Sequence, residues 1–380
     1  MKKNLADRFS DVMLRIVRPI GFVWMRMDAK KKITSTVDFR RKTPFILVAN
    51  HTYTFDVIQL GLLFRRTPAA VSQEFLISTP GLRWLLLHVA KVIPKSKGTA
   101  DVRTIREILT VIKKGYPIML MPEGDSTFFG NTSPLEPATA KLIKKLELDV
   151  IYAKVKGGYL SKPRWATGRR LGRYVEMHFD TLFTKEQIAS MDVEDISKQL
   201  TDALSHDDYQ WQATAKHLYQ GDRLAEGFEN VIYRCPVCGA FHSFDVSGNT
   251  IHCRECKTDA VVTEYGFIEG FPVKTMHELD ALQRPYDHEL KQQTFQSNAR
   301  LQYVDQTEFR RTKAKQVQVA YQAGEFHIKH KSVETIPAAA MVNPVLTMRR
   351  NLTFEYEDRV YLIQLERFAM SFLRVLQDKY

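Results

Sequence analysis

The chain of 380 residues is long enough for two or three domains, and it carries a formal charge of +12. Its 44% hydrophobic and 26% charged residues are ordinary for a globular protein, and the absence of internal repeats and low-complexity segments excludes a solenoid or a fibrous chain. Residues 1–43 hold twelve Lys or Arg against four Asp, which is +8 of the total. Such a basic end indicates an anionic partner, either a membrane surface or a nucleic acid.

The first predicted element is an amphipathic helix over residues 5–27. Apolar residues recur at helical spacing, and Arg8, Arg15, Arg18 and Arg26 interrupt them, so the segment is too broken to span a bilayer or to serve as a signal peptide. We interpret residues 1–43 as a membrane-associating segment whose helix lies in the interface with Trp24 at headgroup level. The alternative is an amphipathic helix that packs on its own domain.

The next element is a short apolar strand that ends in polar residues. Phe45–Ala49 is apolar on both faces, which is typical of a buried strand in an α/β sheet, and Asn50, His51 and Asp56 follow it. Ligands bind at the carboxyl ends of such strands. An imidazole there can accept a proton from a hydroxyl, while a carboxylate one turn later holds its other nitrogen. The H-x4-D spacing therefore predicts a general base and its orienting group, although it also arises by chance.

A second apolar strand, in the stretch from Pro117, ends in Pro122, Glu123 and Gly124. Because both strands end in polar clusters, we expect the two clusters to form one site.

Together, NHTYTFD at 50–56 and MPEG at 121–124 resemble the signature of the glycerophospholipid acyltransferase family, of which lysophosphatidate acyltransferase is the best-known member. The resemblance covers about residues 1–215 and implies an α/β domain at 44–220, with a mixed sheet flanked by helices. It implies that His51 is the general base and that Asp56 holds it. It implies substrate-binding roles for Asn50, Lys97, Glu123 and Gly124.

The same resemblance implies an activity and its partners. The donor would be a fatty acyl thioester of coenzyme A or acyl-carrier protein, and the acceptor a lysophospholipid, with lysophosphatidic acid first. No catalytic metal is expected. The alternatives are another lysolipid or a glycolipid acceptor, and a lipid-binding homologue without activity.

The chain departs from the family pattern where the acceptor phosphate is held. Asp125-Ser126-Thr127 replaces the usual Thr-Arg-Ser, so the expected arginine is missing. Lys97 stands where the second block usually has an arginine, and a lysine lacks the bidentate fork. Lys154 and Lys156, at the end of a further predicted strand, are spare cations that could replace the arginine.

Four cysteines form two CxxC pairs, Cys235 with Cys238 and Cys253 with Cys256, with fourteen residues between the pairs. Paired CxxC knuckles at this spacing predict a small zinc ribbon at 231–262 that binds one structural Zn²⁺ through four thiolates. Two disulfides are the alternative. Because metal binding needs reduced thiols, we expect a cytoplasmic protein at the inner face of the cell membrane.

Zinc ribbons often bind nucleic acid, which makes a nucleic-acid-binding protein the rival class. Within the ribbon, Arg234, Arg254 and Lys257 are balanced by three acidic residues, Asp245, Glu255 and Asp259, so no cationic face is predicted. We therefore do not expect nucleic acid as a partner, and a scaffold or protein-contact role is favoured.

Residues 295–380 show period-two alternation and predict a meander of five or more strands. The pairing of 352–356 with 360–362 across Glu357-Asp358 predicts a hairpin, and a helix is predicted at 366–378. Strands closed by one helix resemble a pleckstrin-homology-type barrel. This β-rich domain would bind a membrane or a partner, or serve only as a stabilising appendage.

Overall fold

A computed structural model describes residues 5–53, 55–73, 83–95, 102–305 and 310–377. The chain forms two compact units, the first of residues 1–162 and 172–217 and the second of residues 163–171 and 218–380. The short return of 163–171 to the second unit was not indicated by the sequence. The domain boundaries given above stay predictions.

The first unit is built on a seven-stranded sheet with the order β1-β7-β6-β2-β5-β3-β4. Five strands run parallel, while β7 pairs antiparallel with β6 and β1 runs with β7, so the predicted mixed sheet is confirmed. The strands are β1 Lys30–Ser35, β2 Ile46–Ala49, β3 Ala69–Gln73, β4 Ile93–Lys95, β5 Ile118–Leu120, β6 Val150–Lys156 and β7 Tyr174–Phe183.

Helices cover both faces of this sheet. They are α1 Leu5–Asp28, α2 Asp56–Leu63, α3 Val102–Lys113, α4 Ala138–Leu146, α5 Gly158–Ser161, α6 Lys185–Ser190, α7 Val193–Leu204 and α8 Asp208–Ala215. A π-helical turn, Leu85–Val89, precedes β4, and the N–H of Ala90 bonds to the carbonyl of Leu85, five residues back.

The alternation of side chains along β2 explains why this strand is apolar throughout. Ile46 and Val48 enter a core with α3, α4, α6 and α7, while Leu47 and Ala49 enter the core on the other face, beside Leu60 of α2. All four β2 residues are fully buried. A strand at the centre of a two-faced sheet has no polar face to offer, and this matches its sequence.

The parallel pairing of β2 with β5 sets the position of the site. Val48 pairs with Leu120, so the residues that follow each strand emerge at the same edge of the sheet. The carboxyl end of β6 reaches this edge too, since Ala49 pairs with Ala153. Segments about seventy residues apart in the chain thus meet there.

The second unit contains two antiparallel sheets. The first has the order β11-β10-β9-β8 and comprises β8 Phe244–Ser247, β9 Thr250–Cys253, β10 Asp259–Val262 and β11 Ile268–Glu269. The described residues of this unit also form three short α-helices: α9 Met276–Gln283, α10 Asp287–Leu290 and α11 Ala369–Leu376.

The second sheet of this unit has the order β15-β14-β13-β12-β18-β17-β16. Its strands are β12 Phe295–Val304, β13 Lys315–Gln322, β14 Glu325–Lys329, β15 Val333–Pro337, β16 Val342–Thr347, β17 Asn351–Tyr356 and β18 Arg359–Leu365. The predicted hairpin across Glu357-Asp358 is present. Within the described residues no pairing between β15 and β16 closes a barrel, so the pleckstrin-homology-type fold is not confirmed.

The C-terminal helix begins at Ala369, three residues later than predicted. The hydroxyl of Ser297 accepts hydrogen bonds from the N–H groups of Glu366 and Arg367, and Phe368 has a φ of 61°. These contacts hold the chain out of the helix until Ala369, a competition that local propensity does not reveal.

Gly158 of α5 packs tightly against the loop after β2. A Cβ at this position would lie 2.1 Å from Oγ1 of Thr52 and 2.9 Å from the ring of Tyr53. We expect Gly158→Ala to lower the free energy of unfolding by about 1–3 kcal/mol, the usual cost of overpacking, in urea denaturation followed by fluorescence.

Gly61→Ala is the matched control, because the new methyl in α2 would meet its neighbours at 3.4 Å, an ordinary contact. It should leave stability unchanged or raise it by up to about 1 kcal/mol through helix propensity. Equal stability of the Gly158→Ala variant and the native chain would show that the loop yields easily at this point.

Candidate functional site

The loop after β2 is fastened by Asn50. Its side-chain amide donates to the carbonyl of Val155 and accepts from the N–H of the same residue, both at 2.8 Å. Asn50 is buried, and these bonds join the end of β2 to β6 beyond their last regular pair. The geometry gives Asn50 a bridging role; the substrate contact implied by the family resemblance stays a prediction.

His51 and Asp56 form a buried pair. Nδ1 of His51 lies 2.9 and 3.1 Å from the two carboxylate oxygens of Asp56. Asp56 also accepts from the N–H groups of Thr52 at 2.8 Å and Tyr53 at 3.2 Å, so its carboxylate is fixed at the start of α2. The Asp56 side chain is completely buried and that of His51 is 14% exposed. No bond to Nε2 of His51 is found among the described residues.

The loop after β5 holds the backbone of His51. One oxygen of Glu123 accepts from the N–H of His51 and the other from the N–H of Ser133, both at 2.7 Å. The N–H of Thr127 donates to the carbonyl of His51 at 3.0 Å. Gly124 has a φ of +74°, which favours glycine at this turn. The structure thus brings Glu123 and Gly124 to His51, and Glu123 uses both oxygens to position it.

The charges around His51 determine its protonation. Burial alone would lower the pKa of His51, but the charge and hydrogen bond of Asp56, with Asp125 and Glu123, raise this pKa above its usual value. Burial raises the pKa of Glu123 to about 7, against the opposing effect of its two backbone donors. Glu123 therefore titrates near neutrality, and the pKa of His51 lies above its usual value.

This geometry suits general-base chemistry. A carboxylate on Nδ1 places the proton on that nitrogen and leaves the lone pair of Nε2 for a substrate proton. An imidazolium formed by such a proton transfer would be stabilised by the charge of Asp56.

The predicted cations are only partly described. Lys97 lies outside the described residues, and Lys95 is exposed at the end of β4. Lys154 lies near the carboxyl end of β6 and Lys156 ends it, at the sheet edge that carries His51. Burial and the charge of Lys156 lower the pKa of Lys154 below its usual value.

Sequence reasoning missed several groups that complete the site. Val155 and Ser133 bind Asn50 and Glu123 through backbone atoms, which no residue type identifies. The sequence gives a weak indication of the role of Gly158, because this residue is the second of two consecutive glycines after β6.

Comparison with known families finds one match, in the first unit. Residues 15–154 match the model of the family described as Acyltransferase. The chain therefore carries an acyltransferase-family domain, which confirms the family predicted from its motifs.

A solved structure gives a weaker likeness. The crystal structure of the 1-acyl-sn-glycerophosphate (LPA) acyltransferase PlsC from Thermotoga maritima is 19% identical, covers 55% of this chain and 81% of that chain, and has a TM-score of 0.42. No curated protein matches the chain.

The four cysteines of the second unit converge on one point. Their sulfur atoms all lie within 4.8 Å of one another, with 3.9 Å between Cys235 and Cys256 and 3.8 Å between Cys238 and Cys253. Four thiolates at about 2.3 Å from a tetrahedral Zn²⁺ would be about 3.8 Å apart. The cysteines are free thiols rather than disulfides, so the donor set fits such an ion.

Two similar knuckles shape this cluster. The N–H of Gly239 bonds to the carbonyl of Cys235, and the N–H of Lys257 bonds to that of Cys253. Gly239 and Lys257 both have positive φ angles, which turn the chain immediately after each CxxC pair. His242 bonds instead to the hydroxyl of Ser371, and His252 to Asp259.

The raised pKa of His51 predicts the pH dependence of acyl transfer. If the neutral imidazole acts as the base, kcat/KM should rise with pH along a limb centred above the usual histidine pKa of about 6.5. Asp56→Asn removes the main charge that raises this pKa, so the limb should move to lower pH and the plateau should fall. The measurement is the pH profile of thiol release.

Asp125→Asn is the graded control, because Asp125 raises the same pKa less strongly than Asp56. Its limb should move in the same direction by a smaller amount. The stability of the fold should fall with rising pH, whereas kcat/KM rises. The protonated His51–Asp56 pair stabilises the fold below about pH 6.5, and this contribution is lost as the pH rises through the higher pKa of the folded state. An unmoved limb in Asp56→Asn would contradict the pairing.

Proposed function

We propose that the first unit transfers a fatty acyl group from a thioester of coenzyme A or acyl-carrier protein to the free hydroxyl of a lysophospholipid. The observation that supports this most strongly is the His51–Asp56 pair. Asp56 holds Nδ1 of His51, no described group bonds to Nε2, and the loop of Glu123 fixes the peptide of His51. The acyltransferase family match covers both segments.

In the proposed reaction, Nε2 of His51 takes the proton of the acceptor hydroxyl as its oxygen attacks the thioester carbonyl. The tetrahedral intermediate then collapses, the carbon–sulfur bond breaks, and the protonated imidazole returns the proton to the leaving thiolate. The products are an ester and a free thiol. Asp56 stays ionised throughout and fixes the tautomer of His51.

The first candidate acceptor is lysophosphatidic acid, which would make the protein a 1-acylglycerol-3-phosphate O-acyltransferase. Lys154 is part-buried beside a second cation, and both effects disfavour its charge. A bound phosphate would relieve both, so Lys154 and Lys156 are suitable replacements for the missing arginine. Lys97 remains a further candidate from the sequence.

The second candidate is another lysophospholipid or a glycolipid. Asp125 occupies the first position of the segment that replaces Thr-Arg-Ser, and its charge acts on His51. A carboxylate there repels an acceptor phosphate and suits a neutral or cationic headgroup. A lipid-binding homologue without activity is disfavoured because the base and its orienting group are both in place.

We further propose that the protein is peripheral on the inner, cytoplasmic face of the cell membrane. Along α1, one face carries a stripe of exposed apolar side chains, Phe9, Val12, Ile16, Ile20, Val23 and Met27, which we call the α1 stripe. The opposite face packs on the unit, as Ser10 bonds to the carbonyl of Val89 and Asp7 pairs with Lys114. The two sequence interpretations of this helix thus apply to different faces. The membrane interpretation applies to the exposed apolar face, and the packing interpretation applies to the opposite face.

In the part of the chain that the structure describes, no helix has both the length and the hydropathy needed to cross a bilayer. An interfacial helix needs only one apolar face, and α1 has one.

We also propose that the cysteine cluster binds one structural Zn²⁺. Four thiolates leave no coordination position for a substrate, and the donors belong to the second unit whereas His51 belongs to the first. The metal would fix the two knuckles of the ribbon and take no part in acyl transfer.

Thiol release tests the acyltransferase proposal. Purified protein is given acyl-coenzyme A or acyl-carrier protein with lysophosphatidic acid, lysophosphatidylglycerol or lysophosphatidylcholine. We expect release with at least one pair, and a fall of at least about 100-fold in His51→Ala, because the general base is lost. His178→Ala, which removes another imidazole of the same unit, should stay near the native rate.

The acceptor series separates the two candidates. If lysophosphatidic acid is the acceptor, Lys154→Gln should raise its KM and leave kcat largely unchanged. Release only with lysophosphatidylcholine would support the second candidate, and an active His51→Ala variant would exclude the proposed chemistry.

Metal analysis tests the zinc proposal. The native chain should contain one zinc per molecule, and Cys253→Ser should lose it and unfold its second unit at lower denaturant concentration. His51→Ala should keep the zinc. A metal-free native chain with full stability would contradict the proposal.

A further inference from the structure

A strongly basic cavity of about 300 Å³ lies in the first unit, at the opposite sheet edge from His51. Lys42 precedes β2, Thr67 precedes β3 and Tyr116 precedes β5, so these lining residues mark the amino ends of the parallel strands. The cavity is at the lower end of the range for ligand pockets, about 300–1,000 Å³. Its cationic lining residues are Arg15, Arg18, Arg40, Lys42, Arg65 and Arg66.

The positive charge of this cavity is not balanced. Among the described lining residues the one acidic group is Asp11, and its carboxylate already accepts from Lys91 at 3.1 Å and from the hydroxyl of Tyr116 at 2.8 Å. Six cations therefore face one acid that is already paired. Such an arrangement costs free energy by repulsion unless an anion is bound.

Two of the arginines are fixed by the fold. Arg18 donates to the carbonyl of Phe64 at 2.7 Å and to the hydroxyl of Thr67 at 2.9 Å, while Arg66 bonds to the carbonyls of Lys42 and Gly115. Burial, then the charges of Arg15 and Arg65, lower the pKa of Arg18 below its usual value. The guanidinium groups are thus close enough to repel each other in a partly desolvated site.

The remaining four cations are exposed, and none has a side-chain partner among the described residues: Arg15, Arg40, Lys42 and Arg65. They are available to an incoming ligand. Several arginines around one cavity favour a phosphate with three terminal oxygens, because the guanidinium group binds such oxygens in pairs.

The cavity adjoins the α1 stripe. Arg15 follows Val12 by three residues, so at 100° per residue their side chains project 60° apart around the helix. Arg15, which lines the cavity, therefore also borders the apolar face that we assign to the membrane. A ligand held here would have its phosphate in the cavity and an apolar tail beside the stripe.

We propose that this cavity binds the phosphomonoester headgroup of an anionic phospholipid in the bilayer, as a second phosphate site separate from His51. The continuity of the cavity with the α1 stripe favours a lipid over a soluble phosphate. The inference rests on the proposed peripheral membrane attachment and not on the acyl-transfer chemistry. The site would orient α1 on membranes that contain such a lipid.

Vesicle sedimentation of the full chain tests the proposal. Phosphatidylcholine vesicles containing phosphatidate are compared with vesicles containing enough phosphatidylglycerol to match their surface potential. We expect about tenfold stronger binding to the phosphatidate vesicles, and this preference should disappear in the double variant Arg15→Gln/Arg65→Gln.

The matched control is Arg8→Gln/Arg26→Gln, which removes two exposed arginines of α1 that do not line the cavity. It should bind both vesicles more weakly but keep the preference for phosphatidate. Loss of the preference in both double variants, or no preference in the native chain, would overturn the proposal. The charge-preserving Arg15→Lys/Arg65→Lys variant should keep binding and lose part of the preference.

Two further measurements separate this inference from its rivals. Acyl transfer to micellar lysophospholipid by Arg15→Gln/Arg65→Gln should stay within twofold of the native rate. If the native chain is inactive but still prefers phosphatidate vesicles, the proposed activity is refuted and the lipid site is not. Coenzyme A binding that is present in the native chain and lost in this variant would assign the cavity to a soluble polyphosphate, and the lipid proposal would fail.

Discussion

The peptide of His51 is held from both sides, and the geometry of the candidate active site depends on this. Its N–H donates to Glu123 and its carbonyl accepts from Thr127, so the loop after β5 fixes the second residue beyond the end of β2. Only the parallel pairing of the two strands brings these loops together. With the peptide fixed, Asp56 needs to orient only the imidazole, which keeps Nε2 directed away from the carboxylate.

This arrangement concentrates negative charge around one histidine. Glu123 serves two backbone donors in a buried position and titrates at about 7, while Asp56 and Asp125 raise the pKa of His51. A higher pKa makes the imidazole a stronger base but lowers the neutral fraction at a given pH. The acids that position His51 therefore also set the pH range in which it can act.

The charge of the first unit is distributed in the opposite way at the two edges of its sheet. Carboxylates surround His51 at the carboxyl edge, and cations surround the cavity at the amino edge. Helix α1 contributes Arg15 and Arg18 to the basic edge, while Trp24 near its other end packs on Phe55, next to Asp56. Four of the twelve basic residues of the N-terminal segment thus line one cavity: Arg15, Arg18, Arg40 and Lys42.

The sequence by itself determined the features that depend on short-range spacing. Asp56 begins α2 five residues after His51, and each CxxC pair lies within one knuckle, so a few residues fix their geometry. Only the tertiary structure revealed that Glu123 binds the backbone of His51, that Asn50 bridges to Val155, and that separate segments form the basic cavity. The reason is physical: hydrogen bonds to backbone atoms and the convergence of distant loops follow from strand pairing, and they leave no periodic pattern in the chain.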